Sequence, residues 1–239
     1  MKLQLVVRRA PINAGLKWLQ QGWQIFKQQP GLWIQLVFTI HFCSLLGAMH
    51  PLLGIVVTLL NPFLTAGLYS CIVARQRGAT VTFGMLFQPL KEPACRAIFI
   101  RLAAANMLCS IPLTLLGSEL FSQAQTGAID WWLTLGFVIA LCLVMMMFAY
   151  AVAIAYFLRE QRLFAILQAS LMACWRNVQP LTLYSVLAIV LLSTGFPTLL
   201  LTWLLVLPLL SISFFLSFSE FFALAPVNNE QEEASYFEV

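Results

Sequence analysis

The side chains most able to do chemistry in this sequence are a few polar residues inside long apolar segments. His41, Asn61 and Glu220 each lie in such a segment. Polar groups in the interior of a membrane are costly, so they point to function by default. His41 is either a neutral histidine hydrogen-bonded to a neighbouring helix or a proton relay or ligand. These three residues form the candidate intramembrane polar site.

Asn61 and Pro62 interrupt the second apolar segment near its middle. A proline at this position can serve helix packing, because neighbouring helices satisfy the freed backbone groups. A broken helix can also expose backbone carbonyls that line a solute or ion site. Both interpretations of Asn61 stay open.

Glu220 lies near the inner end of the last apolar segment, where an arginine can pair with it (Arg75, Arg101 or Arg159). Such a pair would set helix register rather than transport a solute. His41 and His50 have no carboxylate three or four residues away, so they predict no metal site. No nucleotide-binding loop, GxSxG, HExxH or paired-carboxylate motif is present. We therefore expect no catalytic residues, no cofactor and no enzymatic activity.

The composition indicates which solvent surrounds these segments. Apolar residues make up 61% of the 239 residues and charged residues only 9%, whereas a soluble domain carries about 25% charged residues. The outer surface must therefore face lipid. The six cysteines show no CxxC spacing, and we expect them to act as small buried hydrophobes.

The apolar pattern predicts an all-α polytopic membrane bundle of about six transmembrane helices. The predicted spans are residues 31–49, 51–74, 97–117, 131–157, 180–195 and 198–223. They form one integral membrane domain over 1–223. The acidic tail 224–239 is predicted to be a disordered cytoplasmic end.

The 13 lysines and arginines give the orientation. All fall in residues 2–27, 75–101 and 159–176, and none falls near residue 50 or in 118–130 or 193–198. The positive-inside rule therefore places the amino terminus and both long connections in the cytoplasm. With six spans the carboxyl terminus is cytoplasmic too. The basic zones fit anionic lipid headgroups better than nucleic acid.

An amphipathic pattern precedes the first span. Between residues 12 and 29 the apolar side chains recur at helical spacing, at Ile12, Leu16, Leu19, Trp23 and Phe26. A helix of this kind can lie in the membrane interface, with tryptophans at headgroup depth. Pro30 then breaks the helix. A similar stretch starting at residue 161 ends at Pro180, so Pro30 and Pro180 are the predicted interfacial elbows.

Internal similarity accompanies these elbows. NPFLTAGLYS (61–70) resembles LPLLSISFFL (207–216), with Pro62 and Pro208 in matching places. We infer a repeated unit of interfacial helix plus two spans, over approximately 12–76, 80–158 and 161–223. The third copy, within 80–158, has the weakest signal. Whether the repeat is two-fold or three-fold is left open.

Several of these residues also carry a family resemblance: Gly15, Trp18-Leu19, Gly22-Trp23, Phe26, Pro30 and the segment from Pro62 to Gly67. With them the chain resembles a family of bacterial six-span inner-membrane proteins, and more distantly the membrane domain of glycerophosphodiester phosphodiesterases. The resemblance implies the bacterial inner membrane and this topology, and no reaction.

The expected function is a non-enzymatic scaffold, assembly or envelope-maintenance factor. It would act through membrane lipids, a membrane-protein partner or a homo-oligomer. The alternative is a small transporter or lipid-handling protein with an intramembrane cavity near His41 and Asn61. A cavity lined by those residues would favour the alternative, and a solid bundle would favour the scaffold.

Overall fold

The computed structural model describes residues 7–127, 129–195 and 201–222, and within them the chain is all-α, as predicted. The predicted tail 224–239 lies outside these ranges. A 3-10 helix occupies Phe83–Phe87. The ten α-helices of the described ranges are α1 (Ala14–Phe26), α2 (Pro30–Met49), α3 (Pro51–Gln76), α4 (Gln88–Lys91), α5 (Pro93–Thr126), α6 (Trp131–Phe148), α7 (Ala151–Phe157), α8 (Leu163–Arg176), α9 (Val178–Ser193) and α10 (Trp203–Phe221).

Five helices in the described part of the chain are long and apolar enough to cross a membrane: α2, α3, α5, α10 and the pair α6–α7. The protein is therefore a helical membrane protein. The predicted span 180–195 corresponds to α9, which has only 16 residues and is about 24 Å long. This is shorter than the roughly 30 Å of a bilayer's hydrocarbon core.

Three side-chain contacts lie at one end of the bundle and involve the ends of five helices together with α1. Arg75 at the end of α3 donates to Gln28 before α2, and Arg159 after α7 donates to Glu92 before α5. Trp18 of α1 donates to Glu220 of α10. We call this the basic end, since the described residues of the three basic zones lie on this side of the spans. The turn at His50, the end of α5 and the start of α6 lie at the opposite end.

The two predicted elbows differ in the position of their break. Pro30 is the first residue of α2, where its missing N–H leaves no hydrogen bond unmade. The other break lies at Asn177, between α8 and α9, rather than at Pro180. Pro180 is the third residue of α9, inside the first turn, where the backbone N–H has no helical acceptor. The prediction therefore placed this elbow three residues too late.

Helix α1 buries a face that the sequence did not predict to be buried. Ile12, Leu16 and Trp23, which belong to the face predicted to lie in the membrane interface, are 57%, 46% and 49% exposed. Gly15, Trp18 and Gly22 are buried against the protein. The glycines allow a close approach, because a Cβ on Gly22 would overlap Ser213 Oγ and one on Gly15 would lie 2.7 Å from Pro180 O. Helix α1 therefore packs on α9 and α10 and leaves a second apolar face open.

The same packing occurs three times around the bundle. The 3-10 helix Phe83–Phe87 packs on α3, α8 packs on α6, and α1 packs on α10. Each of these short helices begins a proposed repeat unit and contacts the last long helix of the preceding unit. The order closes on itself, because α1 of the first unit contacts α10 of the third. This favours the three-unit interpretation of the sequence, which stays a prediction.

Candidate functional site

Two grooves flank α3 and open to the outside of the bundle. The first, of about 200 Å³, lies between α3, α5 and α6–α7. The second, of about 340 Å³, lies between α2, α3, α9 and α10. Thr65 and Tyr69 line both. We call the first the Asn61 groove (Thr58, Asn61, Thr65, Asn106, Phe148, Val152) and the second the His41 groove (Val37, His41, Tyr69, Tyr184, Ser211, Phe214). The predicted polar residues His41 and Asn61 therefore line different grooves, which lie on opposite sides of α3.

Two carboxamides dominate the polar surface of the Asn61 groove. Asn61 on α3 and Asn106 on α5 both line it, and both are exposed. No residue in the described ranges makes a hydrogen bond to either side chain. Since carboxamides have two donor hydrogens and an acceptor oxygen, the groove presents several unused hydrogen-bonding groups.

Pro62 adds a backbone acceptor to the same groove. Helix α3 runs through Pro62 without ending, and proline has no N–H to donate to the carbonyl four residues earlier. That carbonyl belongs to Thr58, which also lines the groove. The Thr58 hydroxyl is already used, since it donates to Gly54 O at 2.8 Å. The polar part of the groove is therefore neutral, with both donors and acceptors.

His41 is hydrogen-bonded within its own helix rather than to a neighbour. Its Nδ1 lies 2.9 Å from the carbonyl oxygen of Val37, one turn earlier in α2. Across the groove, the Tyr184 hydroxyl donates to Leu210 O at 2.8 Å. The Tyr69 hydroxyl, at the wall shared by both grooves, has no hydrogen-bond partner in the described part of the chain.

Glu220 is not part of either groove. It lies at the basic end, where it accepts a 2.5 Å hydrogen bond from the indole N–H of Trp18. Trp18 is 1% exposed, so this ring is buried in protein instead of facing lipid. Of the arginines predicted to pair with Glu220, Arg75 contacts Gln28 and Arg159 contacts Glu92. The structure therefore separates the three predicted site residues into three places.

Asn177 is a buried polar residue that the sequence reasoning missed. It is 1% exposed, and its Oδ1 accepts from Ala10 N at 2.8 Å while its Nδ2 donates to Arg8 O at 3.1 Å and Ala173 O at 3.0 Å. Asn177 thus fastens the segment before α1 to the α8–α9 junction. The only sequence signal was its place next to a helix break.

A second set of contacts that the sequence did not predict joins α5 to α7 at the basic end. Glu92 accepts from the Tyr156 hydroxyl at 2.8 Å and from Arg159 at 3.2 Å. Arg159 has φ of +54°, a left-handed conformation that costs energy for a residue with a side chain. The ion pair and the contact of the guanidinium with the Tyr156 ring, 5.5 Å from its centroid, hold this turn.

In the described ranges, no three His, Cys, Asp or Glu residues lie together as a metal site would require. The polar groups in the grooves are amides, hydroxyls and one imidazole, which suit recognition by hydrogen bonds. Comparisons of the chain with protein-family models, with curated proteins and with solved structures found no match, so the resemblance to the bacterial six-span family stays a prediction.

Proposed function

We propose that this protein is a non-enzymatic integral membrane protein that acts as a scaffold or assembly factor through contacts inside the bilayer. One observation carries the proposal: the Asn61 groove is open to the outside of the bundle and holds two carboxamides to which no described residue makes a hydrogen bond. Polar groups on a membrane helix are satisfied by other helices, and small residues beside them allow close approach. Ala103, Ala149 and Ala151 line the same groove.

The proposed location is the bacterial inner membrane, with the basic end and both termini in the cytoplasm. The concentration of lysine and arginine in three zones of the sequence supports it. A reporter enzyme that is active only outside the cytoplasm, inserted after Gln125, should be active. The same reporter fused after Val239 should be inactive. The reverse pattern would contradict the orientation.

The function itself is tested by site-specific photo-crosslinking in cells. A photoreactive amino acid is placed, one position at a time, at exposed sites on each long helix, such as Phe42, Leu108, Val138 and Ile189, and in each groove. The scaffold proposal expects adducts with a membrane protein at one surface. Adducts with lipid alone at every position would contradict it.

The second candidate function is a small transporter or lipid-handling protein, and the His41 groove supports it. Its volume of about 340 Å³ falls within the usual range of ligand pockets, roughly 300–1,000 Å³. The test measures lipid and solute flux in proteoliposomes with the unsubstituted chain, His41→Ala and Asn61→Ala. Flux that is unchanged in both variants would count against this candidate.

A further inference from the structure

We infer that the Asn61 groove receives one transmembrane helix of a different membrane protein, which inserts a neutral hydrogen-bonding side chain next to Asn61 and Asn106. This inference rests on the proposed scaffold function and names the chemistry of its partner. The partner side chain is an asparagine, glutamine, serine or threonine.

The depth of the two carboxamides restricts what can reach them. Asn61 is the eleventh residue of α3 and Asn106 the fourteenth of α5. At 1.5 Å per residue, both lie at least about 15 Å from either end of their helices. The hydrocarbon core is about 30 Å thick, so these side chains lie near its middle when the helices span it. A partner must carry its polar group to that depth.

A lipid does not meet this requirement. Its headgroup lies outside the hydrocarbon core, and its acyl chains have no hydrogen-bonding group. The volume of the groove, about 200 Å³, is also below the usual range of small-molecule pockets. It has room for one or two inserted side chains. A transmembrane helix can deliver such a side chain, because its backbone groups are satisfied internally.

The partner side chain is neutral because the groove is neutral. Its lining holds amides, threonines and the Thr58 carbonyl that Pro62 leaves without a helical donor, and no charged residue. A buried charge without a counter-charge is strongly unfavourable. An amide or hydroxyl on the partner can satisfy both the donors and the acceptors.

A second copy of the chain does not fit through this surface in a symmetric pair. In a two-fold interface the same patch of both subunits meets itself. The Asn61 groove is concave, so two such grooves facing one another would leave their floors apart. A side chain that projects from a single convex helix of another protein can reach the floor of the groove instead.

The experiment places the photoreactive amino acid at Val152, a half-buried residue in the groove wall, in the full chain in cells. The adduct should be a different membrane protein, cross-linked through a transmembrane peptide that contains Asn, Gln, Ser or Thr. Interhelical hydrogen bonds of this kind change association by about threefold to twentyfold each. Asn61→Leu and Asn106→Leu should each lower the adduct yield by that factor.

The matched control is Ser110→Ala, one turn from Asn106 on α5, where the hydroxyl donates within its own helix to Met107 O. Its adduct yield should equal that of the unsubstituted chain. Asn106→Gln keeps a carboxamide and should retain most of the yield. Thermal unfolding in detergent identifies any variant that fails to fold, and the remaining Asn variant then serves as the test.

Each other outcome has a defined meaning. An adduct of twice the chain mass, an adduct with lipid only, or a yield unaffected by both leucine variants would overturn the inference. Protein adducts elsewhere on the bundle with none at Val152 would overturn the inference and leave the scaffold function standing. No protein adduct at any position would overturn both.

Discussion

The rings of Tyr69 and Phe215 stack at the centre of the bundle, with 4.6 Å between their centroids and 29° between their planes. Each residue lies seven positions after a proline inside a long helix, Pro62 in α3 and Pro208 in α10. The ring centroid of Phe157, seven positions after Tyr150 at the α6–α7 break, lies 5.4 Å from that of Phe215. Tyr69 and Phe215, which hold equivalent positions after the two matched prolines, thus stack on each other, and Phe157 packs beside them.

Replacement of Phe215 by alanine should strongly destabilise the fold. Phe215 is fully buried, so the change leaves a cavity where three helices meet. Large-to-small changes of buried aromatic residues cost about 3–5 kcal/mol. Denaturant unfolding of the detergent-solubilised protein measures the loss. Phe121→Ala, at a side chain that is 67% exposed, is the control and should change stability little.

Replacement of Gly22 by alanine should displace α1 from α10. The added Cβ would overlap Ser213 Oγ, and overpacking of this kind costs about 1–3 kcal/mol. Ser213→Gly in the same chain should restore much of the loss, because it removes the side chain that clashes. Unfolding free energies of the single and double variants measure the coupling.

The control for Gly22 is Gly136→Ala, in the interior of α6, where an added Cβ meets nothing within 4 Å. That variant should be neutral or slightly more stable, because alanine favours helix. Equal losses of unfolding free energy in Gly22→Ala and Gly136→Ala would show that the packing of α1 does not depend on its close approach to α10.

The sequence predicted most of the fold because span length and basic loops are strong signals in a membrane protein. It did not predict that a second face of α1 is buried in the protein, because a hydrophobic pattern counts large side chains and gives glycine no weight. Gly15 and Gly22 flank Trp18 at three and four residues, and this arrangement was the available sign of a buried contact. The position of α9's first residue depends on Asn177, whose side chain bonds Arg8 and Ala10, both far away in sequence.

Of the candidate site, the sequence identified Asn61 and missed Asn106. The same criterion applies to both, since Asn106 is a carboxamide inside the predicted span 97–117. That the two line one groove depends on how α3 packs against α5. His41 was correctly placed inside a span, but which groove it faces follows from tertiary packing alone.

The turn before α8 should lose stability in acid. The Arg162 guanidinium and the Arg162 backbone N–H hold the pKa of Glu160 at about 2, below its ordinary value of 4.5. A carboxyl group whose folded pKa is lowered contributes stability above its unfolded pKa and loses it as the pH falls through the folded value. The contribution of Glu160 to the free energy of unfolding should therefore disappear as the pH falls from 4.5 to about 2.

Unfolding free energies measured across that pH range check this expectation, with Glu160→Gln as the comparison. The variant should lack this part of the pH dependence. The Arg162 side chain is 80% exposed, so the effect should be small and should decrease with added salt. A pH dependence identical in both proteins would contradict the role of Glu160.

Replacement of Asn177 by alanine should release the segment before α1 while the spans stay folded. The change removes the hydrogen bonds that Asn177 makes with Ala10 N and Arg8 O, and each intramolecular hydrogen bond contributes about 0.5–1.5 kcal/mol. Limited proteolysis should then cut near Arg8 and Arg9 faster than in the unsubstituted protein, with little change in global unfolding.

Asn177→Asp keeps an acceptor for Ala10 N but loses the Nδ2 donor, so cleavage should be intermediate if it is the hydrogen bonds that fasten the segment. Equal cleavage of the alanine variant and the unsubstituted protein would show that packing on α10, where Arg8 N donates to Phe221 O at 2.9 Å, is sufficient.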